Sequence, residues 1–339
     1  MLGREVAAFE ADLAVAWGLP YAIGCASGLD AIEIGLRCAG LTEGDRVLTT
    51  PLSAFATSLA IFRAGGCPIF VDVDASGLLD LDQCEHALGA DRTIRFMVPV
   101  HLYGHALDGE RLASLRDRFA LTIVEDCAQA VGATSHGKPV GSTGGWAATS
   151  FYPTKNLGCI GDGGAVLTTD GAGAQRAASL RDYGQTAKFE HDELGLNSRL
   201  DELQAAILKR ALLPDLVRVT ARRREIARRY AEEIRNPALE APPAPHGSDS
   251  VWHIYPLLVR GDRAAFRTHL AAAGIGTDVH YPRLIPLQRA LEARARDLVR
   301  TPLEQARRFA ESEVSLPIHP YLSRDDIDRI VAACNDWMG

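Results

Sequence analysis

The chain lacks the features that mark secreted, metal-bound or membrane proteins. Its seven cysteines (Cys25, Cys38, Cys67, Cys84, Cys127, Cys159, Cys334) are odd in number, widely spaced and never arranged as C-x-x-C. Disulfide frameworks and zinc sites need closer, paired spacing, so reduced thiols and no metal centre are expected. No stretch approaches the ~18 unbroken apolar residues of a membrane span. The opening Met1-Leu2-Gly3-Arg4-Glu5-Val6-Ala7 carries no apolar signal core, and a cytoplasmic location is expected. Positive charge is not in excess either: the net charge is −7, which argues against nucleic acid or an anionic membrane as partner. The local run Arg218, Arg222, Arg223, Arg224, Arg228 and Arg229 is diluted by Asp215, Glu225, Glu232 and Glu233 and reads as a solvated helix face.

What is present is enough apolar residue for a full core: 339 residues, 47% of them hydrophobic. Such a length suits one large domain and a smaller one. Short apolar runs at Tyr21–Gly24, Arg46–Thr50, Pro68–Val73, Ile94–Val100 and Leu121–Glu125 read as strands. Between them, Asp30–Ala39, Ala56–Ala64 and Leu107–Phe119 have helical periodicity. This alternation predicts an α/β fold with a mainly parallel sheet covered on both faces, with ligands gathered beyond the carboxyl ends of the strands. Trp146–Tyr152 and Gly164–Thr169 are two further predicted strands. A long helix is expected from Arg199 to about Ile234, then a linker over Asn236–Ser250, which holds four prolines and a glycine. Beyond it, Val251–Val259 is a predicted strand, and Ala264–Ala273 and Asp325–Cys334 are predicted helices. The division expected is a large domain over residues 1–210, and a bridging helix with a smaller C-terminal α/β domain over residues 211–339.

Two segments carry the chemistry. Ser150-Phe151-Tyr152-Pro153-Thr154-Lys155-Asn156-Leu157-Gly158 sets a lysine in a turn after an apolar strand, and Glu125-Asp126-Cys127-Ala128-Gln129 sets a carboxylate at a strand end 29 positions earlier. A lysine amine can form an imine with an aldehyde cofactor, and a carboxylate can keep a pyridine nitrogen protonated. Together they supply both ends of a pyridoxal phosphate site. Ser150 could donate its hydroxyl to a phosphate, and Cys25-Ala26-Ser27-Gly28-Leu29-Asp30 leads from a strand into a helix whose free amides favour an anion. Each residue also has a plainer reading. A lone lysine is usually a solvated charge, Asp126 could be a helix N-cap, Gln129 could cap a turn, and Ser27 or Asp30 could be an N-cap.

The residues together resemble the DegT/DnrJ/EryC1/StrS family of sugar aminotransferases, which has the type I aminotransferase fold. The matching segments are Ser27–Ala31, Gly44–Asp74, Val124–Gly132, Ser150–Val166, Leu180–Gln185, Gly195–Ala206, His280–Pro282 and Ser315–Pro317, almost end to end. The resemblance implies pyridoxal 5'-phosphate as cofactor, with Lys155 its imine partner and proton shuttle, and Asp126 on the pyridine nitrogen. Gln129 would meet the ring hydroxyl. Ser150 with the Ser27-Gly28-Leu29 turn would hold the phosphate, and Asn197 would reach the phosphate of a neighbouring subunit, making a homodimer necessary. Tyr183, His280 and Tyr281 would line the sugar pocket. Where many members stack an aromatic residue on the cofactor ring this chain has Ala54, and Phe55 is the nearest substitute. The chain also starts where most members have run some thirty residues, so a helix serving the dimer and pocket is expected to be missing.

The implied reaction moves an amino group from an amino acid, by family habit L-glutamate, to a keto group of a nucleotide-linked deoxysugar. A keto-cyclitol is the near alternative acceptor. A pyridoxamine-phosphate sugar dehydratase is a second reading, against which Lys155 counts because that branch has histidine there. An inactive regulatory homologue is a third.

Overall fold

The computed structural model describes residues 2–339. Its centre is a seven-stranded sheet. In chain order the strands are β1 (Tyr21–Cys25), β2 (Arg46–Thr49), β3 (Cys67–Phe70), β4 (Ile94–Val98), β5 (Thr122–Asp126), β6 (Trp146–Ser150) and β7 (Gly164–Thr168). They lie in the order β1-β7-β6-β5-β4-β2-β3. The pairs β2–β3, β2–β4, β4–β5 and β5–β6 are parallel, while β7 runs antiparallel to both β6 and β1. The predicted strands are therefore all found, ending one to three residues before several of the expected boundaries. Parallel neighbours need crossovers: the helices Phe55–Arg63, Leu81–Ala90 and Gly109–Phe119 link β2 through β5, whereas β5 reaches β6 by way of the short strands Thr134–Ser135 and Lys138–Pro139.

The helix α1 (Arg4–Trp17) was not anticipated; it packs Val6, Phe9, Leu13 and Trp17 against one face of the sheet. The opposite face is covered by α2 (Gly28–Cys38), joined by α3 (Phe55–Arg63). The expected single helix from Arg199 to Ile234 is instead three pieces: an α-helical turn over Glu202–Ile207, a π-helical segment over Leu208–Leu212, and α-helix again over Leu213–Glu233. Pro214, in the first turn of the last piece, explains the break, since proline fits a helix start and not its interior.

The second half builds a three-stranded antiparallel sheet from Leu239–Glu240, Tyr255–Val259 and Glu313–Leu316. Against it lie the helices Leu213–Glu233, Arg263–Ala272 and Arg324–Asn335, whose apolar sides meet in one cluster around Tyr230, Tyr255, Phe266 and Trp337. Within the predicted linker, Ser248–Asp249 pairs with Thr134–Ser135, tying that segment to the first half. Residues 284–310 also pack back onto the first half: Leu284, Leu303 and Phe309 join Leu52, Val100 and Tyr103 in one buried cluster. Among the described residues no helix is long and apolar enough to cross a membrane.

Phe266 is fully buried against Trp337, with ring centroids 4.9 Å apart. Phe266→Ala is expected to lower stability by about 3–5 kcal/mol, the cost of a buried phenyl plus its cavity, read as a drop in urea midpoint followed by tryptophan fluorescence.

Candidate active site

The carboxyl ends of β1, β2, β4, β5 and β6 converge on one rim of the sheet, and the residues singled out in the sequence emerge there. After β6 the chain makes a tight turn in which the Lys155 amide donates to the Tyr152 carbonyl at 2.8 Å. The turn is pinned on both sides. Phe151 is buried edge-on against Phe9, 5.4 Å between centroids, and the Asn156 side-chain Nδ2 donates to the Val251 carbonyl at 3.0 Å. Lys155 is thus a long side chain on a fixed base, and it lines a cavity of about 860 Å3 shared with His253, Asp278, His280 and Ser315. Burial pushes its amine down to about 8, against the opposing field of the Asp126 carboxylate.

Side chains alternate across a strand, so the adjacent acids of β5 face opposite ways. Asp126 is turned toward α3: its Oδ2 accepts the Thr57 hydroxyl at 2.8 Å and its Oδ1 the Ala128 amide at 3.0 Å. No helix follows it, so the N-cap reading does not hold. Each oxygen keeps a second lone pair for a further donor. Glu125 is buried on the other side and accepts the Gly141, Thr143 and Gly144 amides at 2.8, 2.8 and 3.0 Å, with His101 Nε2 2.9 Å away. The Leu107 amide donates to His101 Nδ1 at 3.0 Å, which leaves the ring hydrogen on Nε2, pointing at Glu125. Burial acts to raise the Glu125 carboxyl, but the His101 bond and the amides outweigh it and hold it low.

A close backbone approach forms beside Ser150. Ser27 caps α2 by accepting the Asp30 amide at 3.1 Å, as its plainer reading proposed. A Cβ on Gly28 would lie 2.6 Å from Ser150 Cβ, and one on Gly164 would lie 2.5 Å from the Ser27 backbone. Only glycine lets these three segments touch. Ser150 Oγ accepts the Tyr152 amide at 3.2 Å, so its hydroxyl hydrogen stays free beside the open amides of the α2 start. Leu29 is half-buried at the edge of the core beneath α2.

Gln129 is held from two sides: its Oε1 accepts the Tyr103 amide at 2.7 Å, and its Nε2 donates to the Tyr281 hydroxyl at 3.1 Å. Tyr103 in turn donates its hydroxyl to the His280 carbonyl at 2.7 Å. The His280-Tyr281 segment is therefore fastened to the first half beside Lys155. Burial and the Lys155 charge both push the His280 imidazole down. His253 is pushed down in the same way, first by burial and then by Lys155.

Not every expected residue joins this group. Phe55 packs with Phe70, Ile285, Leu291 and Leu298 instead. Tyr183 and Asn197 are exposed; Arg199 lies over the Tyr183 ring at 5.2 Å, and Asn197 pairs with Asp182. Sequence reasoning passed over Thr57, Tyr103, His101 and His253. Thr57 had a signal, because Ser53, Thr57 and Ser58 are a polar set within an otherwise apolar helix start and all three are buried. The others depend on contacts distant in sequence.

The arrangement fits a pyridoxal phosphate by its chemistry: a desolvated amine on a cavity wall, a carboxylate with spare acceptor capacity, and a glycine-lined cradle with a free hydroxyl. Comparison with known proteins agrees. The sequence profile of the DegT/DnrJ/EryC1/StrS aminotransferase family matches residues 1–335. The dTDP-3-amino-3,4,6-trideoxy-alpha-D-glucose transaminase of Streptomyces venezuelae is 40% identical, over 99% of this chain and 88% of that protein. The UDP-N-acetyl-3-dehydro-alpha-D-glucosamine 3-aminotransferase of Acidithiobacillus ferrooxidans is 38% identical, over 97% of this chain and 88% of its own length. The crystal structure of S. venezuelae DesV in complex with a ketimine intermediate superposes with a TM-score of 0.94 at 39% identity, covering 99% of this chain and 90% of that one.

Gly28→Ala would force the α2 start away from Ser150. Cofactor affinity is expected to fall about fivefold or more, since separating well-packed segments costs roughly 1–3 kcal/mol, as measured by equilibrium dialysis of pyridoxal phosphate against the apo-protein.

Proposed function

This chain belongs to the DegT/DnrJ/EryC1/StrS aminotransferase family, and from that premise we propose that it moves an amino group from L-glutamate to a keto group of a nucleotide-linked deoxysugar. The observation that carries the reading is Lys155: an amine brought down to about 8 by burial, on the wall of a cavity large enough for a sugar nucleotide, with Asp126 near enough to act on it. Bound pyridoxal phosphate supplies an aldehyde that takes up the amino group and a protonated ring that draws off negative charge.

The remaining work falls to the chain. Asp126, oriented by Thr57, is proposed to hold the proton on the ring nitrogen, and Gln129 to donate its second amide hydrogen to the ring hydroxyl. Ser150 and the Ser27-Gly28-Leu29 turn are proposed to bind the phosphate by hydroxyl and backbone amides. Lys155, when not bonded to the cofactor, would hold or release a proton beside the carbon that bears the nitrogen, because an amine near 8 is divided between acid and base forms at neutral pH. His280 and Tyr281 are proposed to orient the sugar.

A second copy of the chain is proposed to complete the site through Tyr183 and Asn197. Supporting this, the exposed residues Tyr152, Ile160, Tyr183, Phe189 and Leu194 lie on the loops beside Lys155 and around Asn197. Apolar side chains grouped on a surface mark contacts with a partner.

Two outcomes check the reading. Incubated with glutamate and a panel of nucleotide keto-sugars and keto-cyclitols, the protein is expected to give the mass change of ketone to amine on a keto-sugar. No loss of the visible cofactor band with glutamate alone would remove the donor assignment. Cofactor capture by apo-protein requires the neutral Lys155 amine. Its rate should rise about tenfold per pH unit and level off above about 8. A rate independent of pH from 6 to 9, or capture retained in Lys155→Ala, would overturn the assignment.

A further inference from the structure

Glu313 is a buried acid that the reaction as described does not use. It is 0% exposed and forms no salt bridge among the described residues. Two donors converge on it: the His280 amide reaches Oε2 at 2.6 Å, and the Ser315 hydroxyl lies 2.5 Å from Oε1. Ser315 Oγ is in turn 2.8 Å from His280 Nδ1. The backbone fixes this alignment, because Asp278 and Ser315 exchange amide–carbonyl bonds, laying the 278–280 segment along the strand Glu313–Leu316. His280 and Ser315 line the cavity that holds Lys155, with Glu313 behind them. His280 Nε2 makes none of the described hydrogen bonds and is the ring nitrogen left for a ligand.

Resting on the reading that this cavity takes the keto-sugar, we propose that Glu313 is a positioning residue which, through Ser315, sets which nitrogen of His280 carries hydrogen, and so whether His280 donates to or accepts from a sugar oxygen. The hydrogen bookkeeping leaves two states. As a carboxylate, Glu313 accepts both donors; the Ser315 oxygen then accepts Nδ1–H, and Nε2 presents a lone pair. As a carboxylic acid, it keeps the His280 amide on Oε2 and donates from Oε1 to Ser315. Ser315 then donates to Nδ1, and Nε2 carries the hydrogen. One proton on Glu313 reverses all three polarities, and the ring stays neutral in both states.

Burial pushes Glu313 up to about 8, so both states lie near neutral pH. Around Glu313 stand Arg263, which favours the carboxylate, and Asp278, which favours the acid, with the Tyr103 and Tyr281 hydroxyls also near. Facing His280 are Asp278, Lys155 and His253.

The test uses holoenzyme with 15N-labelled histidine, His280→Gln to assign the ring signals, and the variants Glu313→Gln and Ser315→Ala. A glutamine amide donates to Ser315 while its oxygen keeps the His280 amide, holding the Nε2–H form at every pH. In the parent, the His280 signals are expected to change tautomer as pH rises through about 8; in Glu313→Gln they are expected to stay fixed. KM for the keto-sugar in the acceptor half-reaction should differ about tenfold between the two proteins on only one side of that pH, one hydrogen bond's worth, with the visible cofactor band unchanged. Ser315→Ala should abolish the coupling. Parent and Glu313→Gln showing the same tautomer throughout would overturn the relay, and a tautomer change without any KM difference would overturn its role in substrate orientation. The tautomer measurement needs no substrate, so failure of the keto-sugar assignment is seen separately.

Discussion

The site depends on the desolvation of one amine. A lysine in water is an ammonium ion at neutral pH and neither attacks an aldehyde nor accepts a proton. Burial disfavours the charged form, and in this chain it outweighs the opposing pull of Asp126, leaving Lys155 near 8. That balance needs both sides of the cavity. The turn after β6 supplies the lysine, while His253 and the 278–321 region supply much of the wall that excludes water. The amine's surroundings are therefore built by both halves of the chain.

The two acids at the end of β5 divide the labour by the alternation of a strand. Asp126 faces α3, oriented by a hydroxyl and one amide. Glu125 faces away and gathers three amides and an imidazole, which fixes the loop from Gly141 to Gly144 beneath the sheet rim. A buried carboxylate with four donors organises backbone more tightly than apolar packing does, because every donor has a direction. The same-charge neighbour thus steadies the strand end from which Asp126 projects.

How far this was legible in the sequence depends on the distance over which each feature is encoded. The sheet strands, each a short apolar run between turn signals, could be read to within a few residues. The places of Asp126 at the end of β5 and of Lys155 just past β6 follow from the same runs. The amphipathic helix at Arg4–Trp17 went unread, and the break at Pro214 was hidden within an otherwise helical pattern. Phe55 is the nearest aromatic in sequence to Ala54. Ala54 lies just before α3 in non-helical backbone, and Phe55, the first helical residue, turns into the cluster of Ile285 and Leu291. Tyr103, His101 and His253 were out of reach for a different reason: their partners lie 177, 24 and 97 residues away, and no local pattern records such contacts.

The His280-Tyr281 segment is where the two halves become one site. The first half holds it through the Tyr103 hydroxyl on the His280 carbonyl and the Gln129 amide on the Tyr281 hydroxyl. The second half holds it through Glu313 and Ser315. Gln129 stands three residues after Asp126, so a shift of this segment relative to the sheet strains the same short stretch that aims the acid. Conversely, whatever sets the polarity of His280 acts on a side chain that shares a cavity with Lys155, and each cation in that cavity makes protonation of the others harder. His280 and the amine are thus neighbours in one cavity, on a segment whose backbone is held by contacts from both halves of the chain.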